Sequence, residues 1–157
     1  MVVYRIERKK YLKTTLTGIG ASMSNGYRWN SYHTKLVYTA ESRALATLEI
    51  SVHLDISEDL PTDRYYVEIE IPEQITIQEV KVEDLPEDWN SNPPTIVTQT
   101  IGDDFVFQNE SAILKVPSSI VPQEFNYLIN PNHPDAKKIK VIGNIPMYFD
   151  PRLKMKK

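Results

Sequence analysis

Three polar side chains stand where packing alone would not put them: Arg28, Tyr38 and Glu49. Arg28 follows Asn25-Gly26, a dipeptide that turns easily because both residues tolerate positive φ. Tyr38 lies in the short apolar run Lys35–Thr39, read as a buried strand. Glu49 lies in Glu41–Leu54, whose Leu45, Leu48 and Val52 recur at helical spacing and mark a core-facing stripe. A carboxylate inside such a stripe is costly unless it is paired or hydrogen-bonded. A loop cation and an inward carboxylate, joined by one strand, can form the wall of a pocket. The same residues suit a structural ion pair and a packed core tyrosine, and the spacing leaves both readings open.

Ser118, in Val116-Pro-Ser-Ser119, follows a strand and is the one candidate nucleophile. No Gly-x-Ser-x-Gly surrounds it and no His–Asp partner is evident, so a cap on the turn Ile120–Gln123 is the stronger physical reading. Metal binding is poorly supported. His33, His53 and His133 are scattered, and Glu49 with His53 at i and i+4 supplies two ligands where a zinc site needs more.

The elements that must position these groups follow in order. Val2–Ile6 is a short strand with Arg5 inside it, Glu7–Lys13 a charged loop or weak helix start, and Thr17–Ala21 a small-residue loop. The Gly-x-Gly of that loop is no dinucleotide fingerprint, because no apolar strand enters it and no helix pattern follows. It suits a close backbone approach. After the helix come an acidic exposed loop, Asp55–Arg64, and strands at Tyr65–Ile71 and Ile75–Val82. Pro-containing turns surround Trp89, and a short helix covers Thr95–Phe107, weakened by Gly102. Strands at Ser111–Val116 and Phe125–Ile129, a rigid Asn130–Pro134 loop, and closing strands at Lys138–Ile142 and Pro146–Phe149 complete the chain. Mostly strands with one strong helix, no repeat and no linker, imply a single α+β domain over residues 1–157.

Composition narrows the function classes. Hydrophobic residues are 41% and charged residues 25%, ordinary for a globular protein. A net charge of -3 without a long Lys/Arg cluster disfavours direct nucleic-acid binding. The absence of Cys removes disulfides and thiolate chemistry. No apolar run approaches a membrane span and no secretory h-region opens the chain, so a cytoplasmic protein is expected.

Taken together, the motifs resemble the RES-domain family, toxins of bacterial toxin–antitoxin pairs. The matches are Gly26-Tyr-Arg-Trp-Asn30, Val37-Tyr-Thr-Ala-Glu-Ser42, Thr47-Leu-Glu49 and Leu114-Lys-Val-Pro-Ser118. Tyr4-Arg-Ile6, Gly18-Ile-Gly-Ala21, Asn126–Pro134 and Phe149–Leu153 extend them in order along nearly the whole chain. Departures are Tyr27 where many relatives have Gly, Ser31-Tyr32-His33 for a Ser-Pro-Gly turn, and Phe105 for a Trp.

The resemblance implies a split β-core similar to ADP-ribosyltransferases, and NAD consumed as a substrate rather than held as a cofactor. It implies cleavage of the nicotinamide–ribose bond with phosphate or water as acceptor. Protein mono-ADP-ribosylation and a catalytically silent antitoxin-binding module are the alternatives. Arg28, Glu49 and Ser118 are the implied catalytic set, with Tyr38, Arg5 and Asn126 on the substrate-binding side. Breaking the glycosidic bond develops positive charge on the ribose, which Glu49 would stabilise. Arg28 would offer a planar fork to phosphate oxygens, and Tyr38 a face for the nicotinamide. The implied partner is an Xre-like helix-turn-helix antitoxin, and a homodimer within the toxin–antitoxin complex is compatible with it.

Overall fold

The computed structural model describes residues 1–54 and 60–153. Part of the expected Asp55–Arg64 loop, residues 55–59, therefore lies outside the described residues. The fold is α+β, built on one seven-stranded mixed sheet. In chain order its strands are β1 (Val2–Arg8), β2 (Val37–Ala40), β3 (Arg64–Glu70), β4 (Ile77–Glu79), β5 (Ile113–Pro117), β6 (Phe125–Ile129) and β7 (Lys140–Met147). Their spatial order is β4-β5-β6-β2-β1-β3-β7. Among the described residues only β4 and β5 run parallel.

The sheet is nearly divided. β1 and β3 pair along seven residues, whereas β1 and β2 meet at one pair, Tyr4 with Ala40. Beside so short a ladder, the Arg5 guanidinium bridges the two strands, Nη1 donating to Tyr38 O at 3.0 Å.

Strand alternation sorts the core. On one face a continuous cluster crosses the seam, with Val3, Val67 and Ile69 beside Val37, Ile113 and Ile129. On the other face the apolar residues fall into two clusters. One lies under α3 (Ile96–Gln108) and gathers Trp29, Leu36, Trp89, Phe105, Val116 and Leu128. The other lies under α2 (Arg43–Ser51) and gathers Ile6, Ala40, Leu45, Ala46, Met147 and Phe149. The gap between the two clusters sits above β2 and β6.

Several elements differ from the sequence reading. The helix at Glu41–Leu54 is shorter, because Ser42 caps it by accepting from Leu45 N at 3.0 Å and it ends at Ser51. Val52 consequently falls outside the apolar stripe and is 57% exposed; Leu45, Ala46 and Ile50 make the contact. β1 continues through Arg8 and runs into a 3-10 turn, Lys9–Thr14. The Thr17–Ala21 loop contains a one-turn helix, α1 (Ile19–Ser22). Gly18 caps it with φ 70°, and a Cβ there would stand 2.9 Å from Leu36 N, so the glycine serves backbone approach to the segment entering β2. The Ile75–Val82 strand contracts to β4, which pairs only with β5. The two closing strands are one, β7, because Pro146 sits on the outermost strand of the sheet, where its missing N–H can face solvent.

Candidate active site

The loop carrying Arg28 is built by its contacts with α3. Gln99 Nε2 donates to Asn25 O and Tyr27 O, both at 2.9 Å. The Asp103 carboxylate accepts from Ser31 N at 3.0 Å and Ser31 Oγ at 2.5 Å. Between them Gly102 lets the loop lie flat on the helix, since a Cβ there would stand 1.6 Å from the Trp29 carbonyl oxygen. Asn30, fully buried, donates to Ala21 O, Ser31 O and Thr34 O and accepts from the Tyr38 hydroxyl at 2.6 Å. His33 turns the chain with φ 71°, a left-handed conformation that the Gly of a Ser-Pro-Gly turn would adopt without strain.

Held this way, Arg28 is half-buried and anchored on one edge. Its Nη1 donates to Trp89 O at 2.9 Å and Ser91 O at 3.0 Å. Nε and Nη2 make no hydrogen bond among the described residues, so the other edge of the fork is available to a ligand. Burial lowers the Arg28 pKa from its ordinary value, and the negative charge of Glu49 works against that shift.

Glu49 projects from α2 into the gap between the two clusters. Its Oε1 accepts from Ser118 Oγ at 2.6 Å and Asn126 Nδ2 at 2.9 Å. Its Oε2 makes no hydrogen bond among the described residues. Asn126 stands on β6 opposite Ala40 and Val116, which brings it under α2. Ser118, fully buried just past β5, also accepts from Ile120 N and Val121 N, each at 3.1 Å. Its one donor and both acceptor positions are therefore taken. It caps the following turn and positions Glu49 at the same time.

Tyr38 presents a ring rather than a hydroxyl. Its Oη accepts from Trp29 N at 3.2 Å and donates to Asn30, and burial pushes its pKa well above the ordinary tyrosine range. The Tyr27 ring lies against it, centroids 5.1 Å apart and planes tilted by 35°.

The structure thus gathers Glu49, Ser118 and Asn126 directly, and Arg28 lies near enough to Glu49 and Tyr38 for their charges to act on it. Arg28 and Glu49 form no salt bridge; each is held by other groups, and the exposed His53 makes no hydrogen bond to Glu49. Arg5 is set apart. Its guanidinium bonds Glu7 Oε2 at 3.2 Å and Thr15 Oγ1 at 3.1 Å besides the Tyr38 carbonyl, and alternation puts it on the Val3 face of β1. Asn30, Gln99, Gly102 and Asp103 shape the site without having drawn notice as site residues in the sequence. Asn30 lies within the Gly26–Asn30 motif, whereas the α3 residues act on a loop more than 70 positions away and carry no local signal. Two open surface cavities, of about 450 and 510 Å³, lie elsewhere, one beside Gln78 and Phe105 and one beside Thr47 and Arg152. Neither is lined by Glu49 or Arg28.

Among the described residues no helix is long and apolar enough to cross a membrane. The family model described as RES domain matches residues 2–150. The chain is 42% identical over 149 residues to a Sphingobium protein named "Prs ADP-ribosylating toxin", covering 94% of this chain and 91% of the relative. It is 38% identical over 155 residues to a Photorhabdus laumondii protein named "Toxin Res", covering 98% and 97%. A chain in the crystal structure of the M. tuberculosis MbcT–MbcA toxin–antitoxin complex superposes with a TM-score of 0.74 at 13% identity, covering 94% of this chain and 84% of that one. That likeness is one of fold.

Proposed function

The chain belongs to the RES-domain family, and from that premise we propose that it is a toxin enzyme that cleaves the nicotinamide–ribose bond of NAD. The observation that carries the proposal is the state of Glu49. One carboxylate oxygen is tied to Ser118 and Asn126, which fixes the group, while the other is left for a ligand. As nicotinamide departs, the ribose takes on oxocarbenium character. A preorganised carboxylate stabilises that charge, and Oε2 can accept from a ribose hydroxyl. Ser118 and Asn126 act as positioning residues through Glu49. Arg28 offers its free edge to phosphate oxygens, either the pyrophosphate of NAD or an incoming inorganic phosphate. Tyr38 offers its ring to the nicotinamide. The electron pair of the C–N bond leaves with neutral nicotinamide, and phosphate or water adds to the ribose carbon.

The 42% identical relative named an ADP-ribosylating toxin supports a second reading, in which a protein side chain is the acceptor. The two share the bond that breaks and differ in what attacks. The fixed Glu49 argues against a silent module, which would need no such arrangement. A toxin of this family calls for an antitoxin, and the complex of the structural neighbour supports a protein partner of that kind; an Xre-like partner remains part of the proposal.

The test is purified protein with NAD, with and without phosphate, and with labelled NAD plus candidate acceptors including Prs. Nicotinamide release only with phosphate assigns a phosphorylase, release in either case a hydrolase, and label on protein a transferase. No nicotinamide under any condition would remove the enzymatic reading. A second expected outcome concerns the fork. Arg28→Lys keeps the charge but cannot hold two carbonyls on one nitrogen and phosphate on the other edge, so kcat/KM for NAD should fall roughly ten- to hundredfold. Parent-like kinetics in Arg28→Lys would reduce Arg28 to a point charge.

A further inference from the structure

Tyr27 stands on the ring that the proposed function assigns to nicotinamide, and the inference here rests on that reading. The Tyr27 and Tyr38 centroids are 5.1 Å apart. Non-bonded carbons pack at about 3.5–4.0 Å, so a third ring between two others needs about 7 Å. A ligand ring therefore cannot enter between the tyrosines as they stand. One of them must leave, and the structure distinguishes which. The Tyr38 hydroxyl is bound by Trp29 N and Asn30, and its strand is paired to β6. The backbone of Tyr27 is pinned by Gln99, but its side chain is 38% exposed and its hydroxyl has no hydrogen-bond partner among the described residues. Rotation of one side chain over a fixed backbone uncovers the Tyr38 face.

We propose that Tyr27 is a specificity-determining residue that occupies the nicotinamide subsite and is displaced only by a ring able to outcompete it. The nicotinamide ring of NAD is a cationic pyridinium. On the Tyr38 face it gains a cation–π attraction in addition to stacking. Free nicotinamide is neutral and keeps the stacking alone, so it competes with the returning Tyr27 ring less well. The same side chain thus raises the threshold for binding and favours release of the product ring after cleavage. Ligands without the nicotinamide ring, such as ADP-ribose, leave the tyrosine pair undisturbed and are indifferent to it.

The test compares the parent, Tyr27→Ala and Tyr27→Phe by calorimetric titration. The probes are carba-NAD, whose glycosidic bond is not cleaved, and ADP-ribose. An aromatic pair of this kind corresponds to roughly two- to tenfold in affinity. Tyr27→Ala is expected to bind carba-NAD that much more tightly with ADP-ribose changed less than twofold. Tyr27→Phe is expected to match the parent. In turnover, Tyr27→Ala should show a lower KM for NAD and stronger inhibition by added nicotinamide. Weaker or unchanged carba-NAD binding by Tyr27→Ala overturns the proposal, as does an equal gain for both ligands, which would report a loosened loop. A parent protein that binds neither probe would instead strike at the NAD reading itself.

Discussion

Glu49→Gln is expected to lower NAD cleavage by about a hundredfold or more while the protein stays folded. The two effects separate because of how Glu49 is held. Its Oε1 accepts from Ser118 Oγ and Asn126 Nδ2, and a glutamine carbonyl oxygen can accept both. No cation is salt-bridged to it among the described residues, so the substitution strands no buried partner, a loss that costs about 3–5 kcal/mol where it occurs. Weaker neutral hydrogen bonds subtract about 1 kcal/mol, offset in part because a half-buried charge is no longer desolvated. The thermal midpoint should therefore move by no more than about 4 °C. The amide cannot stabilise a ribose cation, so nicotinamide release and growth arrest on expression should both be lost. A variant that is badly destabilised, yet whose folded fraction cleaves NAD at the parent rate, would make Glu49 a structural residue.

Gly102→Ala should do the reverse and act on the fold first. On helix propensity alone the change favours the folded state by about 1 kcal/mol. The contact decides otherwise. The new methyl would stand 1.6 Å from the Trp29 carbonyl oxygen and 2.7 Å from its carbon, both backbone atoms in a loop fastened at Gln99 and Asp103. The loop has to lift off α3, which strains those bonds and the packing of Trp29 against Trp89. Overpacking of this kind costs about 1–3 kcal/mol or more. The clash with backbone puts this case at the upper end, for a loss of about 6–12 °C in thermal midpoint. Because Arg28 rides on the same loop, NAD turnover should fall even where the protein remains folded. A midpoint equal to or above that of the parent would mean that the loop is not seated on Gly102.

What could be read from the chain beforehand was what local patterns encode. Alternation in Tyr65–Ile71 marks β3, and the turn at Asn25-Gly26 marks the Arg28 loop. Glu49 stood out because a carboxylate had no evident reason to lie beside Leu45 and Leu48. Its partners did not stand out, because they lie 69 and 77 positions away on strands whose place in the sheet no local pattern specifies. Ser118 read as either a cap or a functional hydroxyl, and it caps the turn while donating to the carboxylate. Gly102 read as a defect in a helix, when its missing side chain is the surface on which another loop lies. Val52 differs for the same reason: apolar periodicity carries on past Ser51, where the helix stops.

The join between β1 and β2 is a single residue pair, Tyr4 with Ala40. On one side of it the apolar cluster is unbroken; on the other it is parted in two. The sheet is then like an open book, with the continuous cluster as its spine and the α2 and α3 clusters as its pages. The α2 cluster itself spans the join, with Ile6 and Met147 on one side and Ala40 on the other. One side-chain tie across the opening is Glu49, reaching from α2 to Ser118 and Asn126. The group assigned to the reaction is therefore also the clasp. A molecule that drew Glu49 to itself would loosen the binding at the moment it entered, and one that left the clasp fastened would meet the book at its narrowest.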